Sequence, residues 1–173
     1  MEKLNENYIR NLIIKLGLTD TIIEIFDEHI SDEVIAEELG YSWSKPYSIL
    51  ELPAEVQQEY QVDKYIPLLS LNNTQIIAYD VDRDGYIKYD VEQGLEDLTC
   101  YTWDGVLLEE LTFWWENEVE EEDIEHIAKK IELKHYAPIL KSLEEHSEAG
   151  LLSTFETQKI WFEKMYKEFN LKK

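Results

Sequence analysis

The chain has 173 residues, 38 acidic side chains against 16 Lys and Arg, and a formal net charge of −22. That length suits a single domain with helical additions, and an apolar share of 44% is enough for a packed core and argues against global disorder. The charge disfavours nucleic acid and anionic lipid as partners, and no apolar run reaches the roughly 18 residues that a membrane span needs.

The charge is unevenly distributed. Residues 1–88 carry 17 acids and 7 Lys/Arg, residues 129–173 carry 7 acids and 9 Lys/Arg, and residues 89–128 carry 14 acids with no Lys or Arg. Met1–Asn7 lacks a basic stretch leading into an apolar one, and Cys100 is the only cysteine. Both point to a reducing cytoplasm.

Taken in order, Tyr8, Ile9, Leu12, Ile13 and Leu16 recur at helical spacing, with Gly17 to end the helix. Ile22, Ile23, Phe26 and Ile30 mark a second helix after Thr19 or Asp20, and residues 1–30 read as a helical N-terminal extension. Ser31 is expected to cap a third helix ending at Gly40. Ser31–Ser42 has the pattern that opens a helix-turn-helix, but the next segment holds Pro46 and the lone cation Lys45, too little for phosphate contact. Tyr41–Glu51 reads as an irregular packed loop, and Pro53 as the first residue of a helix over 53–60.

Residues 65–91 have the best β signal in the chain, reading as three strands with turns at Asn72-Asn73 and at Asp82-Arg83-Asp84-Gly85. Gly85 is the residue expected to take positive φ there. Asp80, Asp82, Asp84 and Gly85 also match the first half of a calcium loop. Val91 stands where that loop needs a bidentate Glu, and β-rich sequence replaces the flanking helices, so the hairpin is preferred and no metal or cofactor is assigned.

A helix is expected from Thr102 or Asp104 to about Val119. Its stripe of Leu107, Leu111, Trp114 and Trp115 should face inward, and Glu109 and Glu110 outward. Glu116, Glu118, Glu120, Glu121, Glu122 and Asp123 follow in the acid-densest run. Ile124, Ile127 and Ile131 continue a helix, Pro138 starts another, and Ser153 with Glu156 forms a capping box. That box opens a C-terminal helix over 153–170, with Phe155, Phe162, Met165, Tyr166 and Phe169 facing the body.

No phosphate loop, nucleophile elbow or zinc spacing occurs. His29, His126, His135 and His146 are scattered, with His126 one turn beyond Glu122. Nothing in the residues proposes a reaction, and the chain is read as a non-enzyme.

The order of parts carries a resemblance. Leu39-Gly40 ends a helix, Leu52-Pro53 opens another, and Ile66-Pro67 begins a strand, with Asp80 and Gly85 around the following hairpin. Over residues 33–145 this resembles the SUKH superfamily, which includes Smi/Knr-type regulators of cell-wall synthesis and bacterial immunity proteins. Gln61–Lys64 departs from it, standing where the family has an Asn-Gly or Gly-rich turn. The resemblance implies an α+β fold, an antiparallel sheet packed against several helices, with no catalytic residues. It also implies a role in binding a cognate toxin, as in toxin–antitoxin and contact-dependent inhibition systems. A basic, nuclease-type toxin fits the charge, with Glu109, Glu110, Glu116, Glu118, Glu120, Glu121, Glu122 and Asp123 as the expected contact face. The alternative is a scaffold for cell-wall synthesis or signalling proteins, anchored by aromatics such as Trp43 and Tyr47.

Overall fold

The computed structural model describes residues 3–96 and 98–173. The fold is α+β, and the chain divides into two compact units, residues 1–100 and 101–173. The division falls inside the 33–145 span read from sequence as the core.

The first unit is built on one antiparallel sheet. Strands β1 (Trp43–Ser44), β2 (Tyr65–Leu71), β3 (Gln75–Asp80) and β4 (Gly85–Asp90) lie in the order β1-β2-β3-β4. All seven β2 residues are buried, whereas β4 alternates buried with half-buried positions, so β4 has one side against the core. The register shifts between Pro67 and Leu69, which places the N–H-less Pro67 at a bulge where a strand tolerates it. Ile76, Ala78, Ile87 and Tyr89 pack with Ile49, Val62 and Cys100 in one apolar cluster.

Helices α1 (Glu6–Lys15) and α2 (Asp20–Phe26) bury Ile9, Ile13, Ile22, Ile25 and Phe26. α3 (Glu33–Glu38) is capped by Asp32, whose side chain accepts the Ile35 N–H at 3.2 Å, and not by Ser31. The Ser31 hydroxyl donates to Glu24 instead. The stretch expected as a loop contains β1 and a short helix α4 (Tyr47–Leu50). Pro53 is the N-cap of α5 (Ala54–Gln57), one position before the expected site. Gln57 is buried and bonded at both ends of its amide: it accepts the Leu4 N–H and donates to the Ile49 carbonyl.

The β3–β4 connection departs from the expected glycine chemistry. Asp84 takes positive φ (50°) while Gly85 is already in β4. Aspartate tolerates this left-handed region better than most residues. In the first turn Asn72 and Asn73 both adopt it, at 51° and 63°, and the Thr74 N–H donates to the Leu71 carbonyl.

The second unit is all helical apart from an isolated antiparallel bridge between Tyr101 and Lys172. The helix expected over 102–119 is broken at Leu107 into α6 (Trp103–Val106) and α7 (Leu108–Glu116). Thr102 caps α6 through the Gly105 N–H, and the Thr102 N–H donates to the Leu171 carbonyl. A Cβ at Gly105 would lie 2.2 Å from the Leu171 oxygen, so only glycine allows this approach. α8 (Glu121–Lys130) and α9 (Tyr136–Glu148) follow, with Pro138 inside the first turn of α9 rather than at its start. The cap of α10 (Phe155–Glu168) is formed by Thr154 and Thr157 reciprocally, not by Ser153 and Glu156. Trp161, Met165 and Tyr166 are its buried residues.

Candidate functional site

Three carboxylates of the β3–β4 turn are committed within the first unit. The buried Asp80 accepts the backbone N–H groups of Asp82 and Arg83 at 3.0 and 3.1 Å, and the Arg83 Nε. Burial pushes its carboxyl up, but the Arg83 side chain and these N–H groups outweigh burial and hold it below the usual carboxylate range. Asp82 faces Lys64 at 3.4 Å, and Asp84 accepts the Tyr79 hydroxyl at 2.7 Å. Among the described residues no group of three or more His, Cys, Asp or Glu side chains is arranged to hold a metal ion.

The acidic residues expected as a contact face all lie in the second unit, on α7, the turn after it and the start of α8. Glu109, Glu116, Glu118, Glu120, Glu121 and Glu122 are exposed and Asp123 is half-buried. Glu110 is not part of that surface. It is only 9% exposed, because α7 also buries Thr112 and Leu108 and so has a wider inward face than the Leu/Trp stripe alone defines.

The turn at residues 117–120 brings the strip together. The Glu118 N–H donates to the Trp115 carbonyl and the Val119 N–H to the Trp114 carbonyl, with Glu118 left-handed at φ 58°. Glu120 then occupies the N-cap position of α8 without a side-chain capping bond, and the first turn holds Glu121, Glu122 and Asp123. Those three stand at the positive end of the helix dipole, which favours them. Glu116 stands at the negative end of α7, which does not. Glu116, Glu118, Glu120, Glu121 and Glu122 make no ion pair among the described residues, whereas Glu125 one turn on is paired to Lys129 at 2.6 Å. Phe113 is exposed on α7, while Trp114 is buried and Trp115 half-buried.

Other anchors expected from sequence fall differently. Trp43 is buried in the first unit, and Tyr47 is half-buried with its hydroxyl on Glu28 at 2.6 Å, so neither forms an open aromatic surface. Phe155, expected to face inward, is 81% exposed. It lines a cleft of about 300 Å³ with Tyr101, Phe162 and Tyr166. Helical spacing could not place this cleft, since Tyr101 lies outside any helix.

No helix among the described residues is long and apolar enough to cross a membrane. Compared with known proteins, the chain matches no family model, no curated protein and no solved structure.

Proposed function

We propose that this chain is a non-enzymatic binding protein of the SUKH kind, an immunity protein that neutralises a basic, nuclease-type toxin in the cytoplasm. The observation that carries the reading is the acidic strip of the second unit: Glu116, Glu118, Glu120, Glu121 and Glu122 are exposed and make no ion pair among the described residues. Like charges along this short stretch repel one another, and of these five only Glu121 and Glu122 gain from a helix dipole. A basic surface would relieve that repulsion and be steered to it. A toxin's phosphate-binding surface has the complementary chemistry.

The test is a pull-down from the native cells at low and moderate salt, followed by association kinetics with the captured protein. Reversing Glu118, Glu120 and Glu121 to Lys should slow association by about tenfold or more, within the range that steering supplies, while leaving the far-UV spectrum unchanged. A captured partner that is not basic, or unchanged association kinetics, would refute the reading.

A further inference from the structure

We propose that two copies of this chain pair about a two-fold axis, each seating the Phe113 ring of its α7 in the aromatic cleft of the other. The pairing goes beyond the binding of a basic protein and stands or falls separately from it.

Two stripes of opposite character face outward in the second unit. On α7, Glu109, Phe113 and Glu116 stand at i, i+4 and i+7, and all three are exposed. On α10, Phe155, Lys159 and Phe162 repeat that spacing, the first two exposed and the third half-buried. One stripe reads acid, ring, acid, and the other ring, cation, ring. Phe113 is 54% exposed and Phe155 81%. Large rings left in water on one surface mark an interaction site. The stripes are neighbours, because Glu109 lines the cleft together with Phe155, Lys159, Phe162, Tyr101 and Tyr166. Phe113 lies one turn further along α7, about 6 Å away, and its exposure keeps it out of the cleft of its own chain.

The chemistry of the cleft suits a neutral ring flanked by carboxylates. Its volume of about 300 Å³ is room for one phenyl group. The Tyr101 and Tyr166 ring centroids are 5.2 Å apart at 35°, and those of Phe162 and Tyr166 are 6.4 Å apart at 30°, so the walls are angled rings. Lys172 already neutralises Glu163, at 2.9 Å from both carboxylate oxygens. Lys159 is exposed at the cleft and makes no ion pair among the described residues, and the same holds for Glu116 on the α7 stripe. A ring and a cleft side by side make the surface self-complementary. A two-fold axis between them seats both rings at once, sets Glu116 of each copy toward Lys159 of the other, and closes the assembly at two. The net charge of −22 on each copy opposes pairing. Salt screens that repulsion and leaves the apolar contact intact, so pairing tightens as salt rises, the reverse of an acidic strip meeting a basic toxin.

The experiment is sedimentation equilibrium of the full chain across concentration and salt, with NMR spectra of the labelled chain on dilution. A monomer–dimer equilibrium should appear, tightening about two-fold or more between about 0.05 and 0.3 M salt. Dilution shifts should centre on Phe113, Phe155 and Phe162. Phe113→Ala should weaken pairing about tenfold or more, and Phe155→Ala about five-fold, with the far-UV spectrum unchanged because both side chains are exposed. Lys159→Glu should weaken it about three-fold, and adding Glu116→Lys to the same chain should restore it. Ile14→Ala, which trims an exposed apolar residue of the first unit, should leave it unchanged. The variant with Lys at 118, 120 and 121 should pair no less tightly than the parent, so the pairing can fail while the acidic strip holds, and the reverse. A chain that stays monomeric up to about 1 mM, assembly beyond two copies, or undiminished pairing in Phe113→Ala would overturn the proposal.

Discussion

Asp80 holds the β3–β4 turn, and its replacement separates two kinds of contact. Its carboxylate is fully buried, and one oxygen accepts two backbone N–H groups while the other accepts Arg83. Asp80→Ala removes two hydrogen bonds to a charged acceptor, about 1.5 kcal/mol each. It also removes an ion pair contributing under about 1 kcal/mol, because Arg83 is 39% exposed. The expected loss is therefore about 3–4 kcal/mol. Asp80→Asn retains an acceptor for both N–H groups and loses the charge, so about 1–2 kcal/mol should go. Urea unfolding followed by circular dichroism measures both. Equal losses for the two variants would mean that the ion pair and not the turn carries the energy. A loss under about 1 kcal/mol for Ala would sink the account altogether. The folded carboxyl lies below its unfolded value, so its contribution is fully present above about pH 3.9. It is lost as pH falls through the folded value, and the difference between Asp80→Asn and the parent should shrink on acidification.

Gly105→Ala would put a methyl group 2.2 Å from the Leu171 oxygen, so it should cost about 2–3 kcal/mol and lower the melting temperature. Tyr89→Phe deletes a buried hydroxyl without a protein partner, and should be neutral or stabilising by up to about 1 kcal/mol in the same unfolding assay. Burial pushes the Tyr86 hydroxyl up to about 12, with Tyr79 and Asp84 adding to it, and raises Tyr89 and Tyr166 further. Stability should therefore fall as pH rises above about 10, and in a tyrosinate absorbance titration these three should ionise last of the chain's 11 tyrosines.

The sheet was legible because β-branched and aromatic residues bounded by turn-forming Asn, Asp and Gly leave few other readings for residues 65–91. The two turns were legible as well, although the second takes its left-handed residue from Asp84 rather than Gly85. What stayed illegible depends on contacts distant in sequence. The Leu171 carbonyl lies against Gly105 and accepts the Thr102 N–H, and only the folded chain brings these residues together. Glu110 reads as surface because charged residues rarely lie inside, yet α7 turns it inward. The exposed acids at 116–122 were legible from charge alone. The Tyr101–Tyr166 cleft was not, since its walls come from both ends of a unit 73 residues long.

Helix ends expose a further limit, and with it a discriminating test. α1, α9 and α10 end with Gly17, Gly150 and Asn170 in the left-handed position, residues suited to it. At the ends of α2, α7 and α8 the same position is held by Glu28, Glu118 and Glu132, at φ 58°, 58° and 56°. Each repeats the paired terminal hydrogen bonds, such as His29 N–H to the Glu24 carbonyl and Leu133 N–H to the Ala128 carbonyl. Glutamate gives no sequence signal for such an end, so the second helix was read too long. A non-glycine residue there costs about 1–2 kcal/mol, and glycine gives back about 0.5–1 of that in chain entropy. Glu118→Gly and Glu132→Gly should then each stabilise by about 0.5–1 kcal/mol. Glu28→Gly should gain less, because it forfeits the Tyr47 hydroxyl bond at 2.6 Å. If Glu118 serves a basic partner, Glu118→Gly should raise stability and slow association together, while Glu132→Gly raises stability alone. Equal association rates for the two variants would remove Glu118 from the contact surface, and a loss of stability in Glu132→Gly would remove the strain argument itself.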